Sequence, residues 1–493
     1  LRELALAAIE QTDFHPENGR KRLRDMIANR PDWCISRQRS WGVPLPFLMD
    51  INSGELHPRT PEIIDLAATV VEKGGIEAWS KLDAADIVAA IGEPANTAQH
   101  YTKSTDILEV WFDSGTTHTT VLKGSHAGSA HESGPEADLY LEGHDQHRGW
   151  FHSSLLTACA MYGRAPYKAL LTHGFTVDGQ GRKMSKSVGN VVAPQTISTK
   201  MGAEIIRLWV ASTDYSGDLG IDDKILARVV DGYRRIRNTL RFLMANTSDF
   251  NIATDAVAFD DMLEIDRFAL GRAATMQTDI LAHYDQYEFH PVVTKLQVYC
   301  SEDLGAFYLD VLKDRLYTSA PGSLERRSAQ TALWHITQAL VRWMAPFLSF
   351  TAEEAWAILA PDQGSVFVQT FHELPKADPE LQTKWARIRD LREAANKAIE
   401  ERRAVGEVGS SLQAELVIGA PPTDLALLQS LGNDLRFVFI TSQVTLEESD
   451  ELRVAVMVSS NTKCERCWHY VANVGVSTAH PSICSRCIAN ISN

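Results

Sequence analysis

Gly181-Arg182-Lys183-Met184-Ser185-Lys186-Ser187-Val188-Gly189-Asn190 is the stretch on which the reading of this chain turns. It sets two lysines and two serines into a span bracketed by Gly179, Gly181 and Gly189. The apolar residues before it, Leu170, Leu171, Phe175 and Val177, read as one short strand ending at the turn dipeptide Asp178-Gly179. The lysine segment is therefore expected as a loop hanging from a strand end, with glycine hinges that let it move. Lysine ammonium groups are compact point charges suited to phosphate oxygens. Two of them on a hinged loop suit a polyphosphate leaving group, where charge builds up during transfer. Taken alone, a Lys-x-x-Lys pair also reads as a solvated basic loop.

A second chemical centre lies upstream, at Tyr140-Leu141-Glu142-Gly143-His144-Asp145-Gln146-His147-Arg148-Gly149-Trp150-Phe151. A strand over 137–141 is expected to run into a polar turn, with a helix over 150–161 after it. In an open parallel sheet, ligands sit beyond the carboxyl ends of the strands. Glu142, Asp145 and Gln146 fall at such an end, and carboxylate and amide groups can accept a substrate ammonium or ribose hydroxyls. A third centre closes the chain: Cys464-x-x-Cys467, sixteen residues, then Cys484-x-x-Cys487. Four thiolates in two such pairs suit a closed tetrahedral zinc site with no open position, hence one structural ion. A zinc hydrolase is excluded on that ground, because a catalytic water has no place to bind. His469 is a neighbour rather than a needed ligand. Lys463, Arg466 and Arg486 flank the site, either against RNA phosphate or simply solvated.

The whole chain has 493 residues, which suggests two to four domains at about 100–200 residues each. Its formal charge of −15 argues against wholesale nucleic-acid coating, though one basic face can still bind RNA. Cys34, Cys159 and Cys300 are scattered, so the seven cysteines form a metal pattern in a reducing compartment, not a disulfide framework. No run of about 18 apolar residues is present, so no membrane span is expected, and the chain is read as cytoplasmic.

The pentapeptide Lys183-Met184-Ser185-Lys186-Ser187 resembles the signature loop of class I aminoacyl-tRNA synthetases. Asp32-Trp33-Cys34-Ile35-Ser36-Arg37-Gln38-Arg39-Ser40-Trp41-Gly42 resembles the segment that re-enters the catalytic domain after the editing insertion, with Ser40 where an aromatic is usual. Asp106–Gly115 continues the likeness and reads as a strand closing in a turn, with Glu109 in place of a more usual aspartate. With the 145–150 string and the 464–470 ending, the chain resembles the C-terminal part of the bacterial-type isoleucyl-tRNA synthetases over essentially its whole length.

The resemblance implies a multidomain α/β plus α architecture. Residues 1–200 would be the second half of a Rossmann-like catalytic domain with an insertion near 48–105. Residues 201–400 would be an α-helical anticodon-binding bundle, and 401–493 a small zinc-binding domain. It implies ATP, with magnesium carried by the phosphates, and isoleucine giving isoleucyl-adenylate, then transfer to tRNA(Ile). Glu142 would bind the aminoacyl-adenylate with Asp145 and Gln146 beside it. Lys183 and Lys186 would be catalytic, and Ser185 and Lys186 would bind ATP. No His-x-Gly-His segment occurs anywhere. The chain is accordingly expected to be a fragment or one half of a split enzyme, to need a separate N-terminal half for activation, and to lack editing. The alternative is a non-catalytic RNA-binding protein derived from a synthetase.

Past the lysine loop, apolar residues recur at helical spacing from Ile225 to Leu243, alongside Arg228, Arg234, Arg235, Arg237 and Arg241. Those arginines either cover core with their stems or contact tRNA phosphate. Further helices are expected near 262–285, 289–303 and 328–347. Thr351-Ala352-Glu353-Glu354 reads as a capping box opening the next. Residues 413–420 and 436–458 read as strands.

Overall fold

The strand Tyr167–His173 is apolar along most of its length and buried on both faces, as a central strand of a parallel sheet must be. It pairs in parallel with Asp13–His15 on one side and Ala137–Gly143 on the other. Helices Arg2–Glu10, Asn18–Ala28 and Trp150–Tyr162 cover it, closing a core around Ile9, Leu23, Phe151, Leu155 and Leu170. The computed structural model describes residues 1–128 and 136–491. Of the Gly/Ser/His-rich stretch expected as a surface loop over 123–136, residues 129–135 lie outside the described residues. Leu1–Thr176 with Tyr215–Leu219 form one compact unit, and Val177–Asp214 with Gly220–Asn493 form another.

Two local expectations are corrected. The single strand expected to end at Asp178 is two strands, Tyr167–His173 and Thr176–Asp178. The break falls at Gly174, whose N–H donates to the Tyr215 carbonyl at 2.9 Å. A Cβ there would sit 2.1 Å from the Gly217 carbonyl oxygen, so only glycine admits this approach of a second backbone. Likewise, Asp106–Gly115 is a strand only at Ile107–Leu108 and turns into the helix Val110–Gly115. The cause is Glu109, a buried carboxylate at the N-cap that accepts the Trp111 N–H at 3.2 Å.

The insertion near 48–105 is closed at its base by the antiparallel pair Leu48–Asp50 and Tyr101–Lys103. It has a core of its own, built from Leu48, Ile63, Ala67, Trp79, Ile87 and Val88.

The second unit is dominated by helices: Asp223–Asn246, Glu264–Asp285, Phe289–Val298, Leu309–Thr318, Leu324–Met344, Ser349–Leu359 and Pro379–Ala404. Leu324–Met344 is buried along most of its length, including Ile336, Leu340 and Trp343. The expected capping box at Thr351 is absent. That helix begins two residues earlier, at Ser349, and its Glu353 accepts from the Ser365 hydroxyl at 3.0 Å and the Val366 N–H at 2.9 Å. Toward the C-terminus, Ala414–Ala420 pairs in parallel with Gln443–Glu448 and antiparallel with Arg453–Val458. Within 436–458 the strands are preceded by a short helix, Leu435–Val438. Among the described residues, no helix is long and apolar enough to cross a membrane.

Candidate active site and metal centre

The strand Ala137–Gly143 delivers Glu142 to its carboxyl end, and the turn His144–His147 follows at once. Gln146 then caps the next helix: its Oε1 accepts the Trp150 N–H at 3.0 Å, and its Nε2 donates to Asp145 Oδ2 at 3.0 Å. With the amide so oriented, Trp150 is fixed at the first turn. Its ring stacks on Tyr140 at 4.1 Å, and its indole N–H donates to the Ser114 carbonyl at 3.0 Å.

These residues surround a cavity of about 630 Å³ lined by Trp111, His118, Tyr140, Glu142, Gln146 and Trp150 among others. That volume lies within the range of small-molecule sites. Of the three residues singled out from sequence, Glu142 and Gln146 line the cavity; Asp145 lies outside the lining, exposed, and orients the Gln146 amide. Trp111 is a wall of the cavity. Tyr140, Trp150 and His118 are wall residues that sequence reasoning did not single out. An aromatic at each end of a strand–turn–helix unit was the available signal. His118 is buried, and burial pushes its imidazole down to about 4, so it faces the cavity neutral at physiological pH. The arrangement is one carboxylate among aromatic walls, able to hold an ammonium at Glu142 and an apolar body against the indoles.

In the other unit, the lysine loop is more tightly tied than a glycine-hinged loop would be. Asp178 accepts the backbone N–H groups of Gln180 and Arg182 at 3.0 and 2.9 Å, and the Arg182 guanidinium at 2.8 Å. Asn190 closes the far end, donating from Nδ2 to Asp178 Oδ2 at 2.9 Å and to the Lys183 carbonyl at 3.2 Å. Its Oδ1 accepts the Ser185 N–H at 2.9 Å. The Asn190 amide and the Arg182 N–H and guanidinium hold the Asp178 carboxyl well below the usual carboxylate range. Gly181 and Gly189 both take the left-handed conformation, with φ of 76° and 74°. Lys183 and Lys186 are exposed, Ser185 is half-buried, and the Ser185 and Ser187 hydroxyls lie 3.1 Å apart.

At the C-terminal end, Cys464, Cys467, Cys484 and Cys487 are all buried, with their sulfurs within 4.8 Å of one another. Cys464 and Cys487, and Cys467 and Cys484, have Sγ–Sγ separations of 3.8 Å. Zn–S bonds of about 2.3 Å in a tetrahedron imply S–S edges of about 3.8 Å. The donor set therefore fits a closed structural zinc site, and the distances exclude disulfides, whose S–S bonds are about 2.05 Å. The Cys484 N–H points at Cys464 Sγ, at 3.3 Å. Arg486 and Arg466 have structural tasks: Arg486 forks onto Asp314 at 2.5 and 2.7 Å, and Arg466 donates to the Thr318 carbonyl at 2.6 Å. Lys463 lies over the Trp468 ring at 5.5 Å. On the helix Asp223–Asn246, Arg228, Arg234, Arg235 and Arg241 are exposed, while Leu226, Ile236, Leu240 and Leu243 are buried on the opposite face.

Three family models match in chain order. Residues 1–222 match tRNA synthetases class I (I, L, M and V), residues 266–418 the anticodon-binding domain of tRNA ligases, and residues 462–490 the zinc finger found in FPG and IleRS. Residues 1–222 thus carry a class I tRNA synthetase domain. The chain is similar to the isoleucine–tRNA ligase of Cupriavidus necator, 57% identical over 506 residues, covering 100% of this chain and 52% of the relative. The isoleucine–tRNA ligase of an Azoarcus species is 58% identical over 497 residues, covering 100% and 53%. The chain thus spans about half the length of the curated relatives it matches. Among solved class I synthetases, it shares its fold with a LeuRS of Agrobacterium radiobacter K84 in a ternary complex with tRNA and LeuAMS. That match has a TM-score of 0.51 and 16% identity, over 87% of this chain and 46% of that one. The methionyl-tRNA synthetase of Mycobacterium tuberculosis with methionyl-adenylate gives a TM-score of 0.52 and 18% identity, over 77% and 65%.

Proposed function

We propose that this chain is the part of an isoleucine–tRNA ligase that carries the adenylate pocket, the phosphate-handling loop, the tRNA-binding helices and the zinc-bearing end. The observation that carries the reading is identity of 57% over the entire chain to such a ligase, with the lysine pentapeptide intact. In the reaction, the isoleucine carboxylate attacks the α-phosphorus of ATP and pyrophosphate leaves; the isoleucyl group then passes to the 3′ end of tRNA(Ile). Glu142 is assigned to the substrate ammonium, and Asp145 and Gln146 to the ordered turn beside it. The aromatic walls take the apolar side chain. Lys183 and Lys186 stabilise charge growing on the departing pyrophosphate, and Ser185 contributes a hydroxyl to ATP. Magnesium arrives with ATP as part of the substrate.

Residues 1–200 are assigned the adenylate chemistry, 201–400 tRNA binding, and 401–493 the zinc-bearing end, with Cys464, Cys467, Cys484 and Cys487 as the ligands. The cytoplasm, where its substrates are made, is the assigned compartment. A separate N-terminal half is the assigned partner. Among the described residues, the strand Ala137–Gly143 pairs on one side only, and Leu141 on it is 52% exposed. A free parallel edge is a ready template for a further strand.

The test is isoleucine-dependent ATP–pyrophosphate exchange by the purified chain, alone and with the N-terminal half of the Cupriavidus necator relative. Exchange only on addition is the expected result. Exchange by the chain alone would overturn the partner assignment. No exchange either way, with tRNA binding intact, would favour a non-catalytic RNA-binding protein.

A further inference from the structure

We propose that Asn190 and Asp178 are positioning residues that latch the lysine loop and preset the backbone of Lys183 and Lys186 for a polyphosphate. The proposal rests on the reading that this loop takes polyphosphate. Asn190 behaves as a peptide group inserted across the loop: its Nδ2 meets the Lys183 carbonyl at 3.2 Å and its Oδ1 the Ser185 N–H at 2.9 Å. The two peptide groups flanking Met184 are thereby tied, and Met184 follows Lys183 directly and precedes Lys186 by two residues.

The amide can do this only in one orientation, and Asp178 selects it. Asp178 Oδ2 requires a donor from Asn190 at 2.9 Å, which leaves Oδ1 facing Ser185. Asp178 is itself 9% exposed and immobilised by the N–H groups of Gln180 and Arg182 and by the Arg182 guanidinium. Val177 and Lys183 also form an antiparallel bridge, so the loop's base is stitched to the strand end. The Val188 N–H, donating to Ser185 Oγ at 3.2 Å, and the Gly189 N–H, donating to the Ser185 carbonyl at 3.1 Å, shape the return path. The left-handed Gly181 and Gly189 stand at the two ends of the tied segment, where a loop that opens as a unit would swing. Preset backbones spare the entropy of ordering the loop when the phosphates bind.

The test uses the full chain with Asn190→Ala, Asn190→Asp and the exchange variant Asp178→Asn/Asn190→Asp. Two quantities are read: the rate of tryptic cleavage after Arg182, Lys183 and Lys186, and the affinity for sodium pyrophosphate by calorimetry. In each single variant, cleavage in the loop is expected to rise about tenfold and pyrophosphate affinity to fall about tenfold, with circular dichroism and the thermal midpoint unchanged. Asn190→Asp keeps the side-chain volume but sets two carboxylates against each other. The exchange variant restores the contact between positions 178 and 190 in reverse but leaves the Lys183 carbonyl and the Arg182 guanidinium without their partners, so it is expected to recover only part of both quantities, while still exceeding Asn190→Asp. A general loss of packing would not be rescued in this way. Single variants cleaved at the parent's rate would overturn the latch, as would an exchange variant no better than Asn190→Asp. If cleavage follows the latch pattern while pyrophosphate binds neither parent nor variants, the latch stands and the polyphosphate reading falls.

Discussion

Glu204 and Arg207, one turn apart on the helix Ala203–Ala211, grip the oppositely polarised ends of two consecutive helices. The Glu204 carboxylate accepts the Phe350 and Thr351 N–H groups at 3.4 and 3.1 Å, at the start of Ser349–Leu359. Arg207 donates to the Pro346 and Phe347 carbonyls at 2.9 and 3.1 Å, just past the end of Leu324–Met344, and to the Ser349 hydroxyl at 2.7 Å. An acid at a helix N-terminus and a base at a C-terminus each match the macrodipole.

Glu204→Gln keeps the shape but weakens the cap, and is expected to lower stability by about 1 kcal/mol. Glu204→Lys sets a cation at the same N-terminus and is expected to cost about 2 kcal/mol or more. Urea unfolding followed by tryptophan fluorescence measures both. Equal stability of the lysine variant and the parent would show that the staple carries no energy.

Zinc removal is expected to loosen the C-terminal end locally. Without an ion the four cysteines protonate and lose the bonds that tie them together, and the partly buried hydrophobics packed against them are Val471, Val474 and Ile483. A chelator strong enough to strip one zinc per chain should expose residues 462–490 to protease while the helices stay protected. Asp314→Ala, which removes the anchor of Arg486, should loosen the same segment with zinc retained. An unchanged cleavage pattern after zinc loss would sink the structural role.

For the reaction, Lys186→Ala and Lys183→Ala are each expected to lower kcat of pyrophosphate exchange by about 10²–10³-fold in the chain combined with an N-terminal half. KM for isoleucine should move little, because the proposed role puts the lysines on the leaving group and not on the amino acid. A rise in isoleucine KM with kcat intact would place them elsewhere.

Two buried histidines make the fold acid-sensitive. Burial holds His118, and burial with the Arg30 guanidinium holds His152, at about 4 against an ordinary 6.5. The unfolded chain therefore takes up protons that the folded chain refuses. Stability is full above about 6.5, falls as the pH drops below it, and levels near 4, by up to about 3 kcal/mol for each group. Chemical denaturation between pH 7.5 and 4.5 should show this slope, and His118→Gln should reduce it. A variant with the parent's slope would show that His118 is not responsible.

The lysine loop, the cysteine pairs and the arginine-bearing helix Asp223–Asn246 were legible in the sequence because their signals are carried by near neighbours. Lys183 and Lys186 lie three residues apart, the cysteines of each pair likewise, and the apolar stripe from Leu226 to Leu243 repeats at helical spacing. Glu142 at a strand end was legible for the same reason. The Gly174 break was not, because its cause is the backbone of Gly217, which only folding brings near. The helix after Glu109 hid behind a strand-like pattern that a single capping carboxylate overrides.

Order along the chain thus set most of the helices and strands and put the candidate residues at a strand end, on a loop and in two cysteine pairs, since propensity and periodicity act within a turn or two. Contacts across the fold set how those residues are held. Thr351 looked like its helix's own cap, yet Glu204, 147 residues away in sequence, supplies it. Asn190 looked like the tail of a motif, yet its bonds to Asp178, Lys183 and Ser185 close the loop. Arg486 looked free for RNA, yet Asp314, 172 residues away, holds it. A buried or half-buried polar group must find a partner, and which partner is within reach is settled by packing, not by sequence distance.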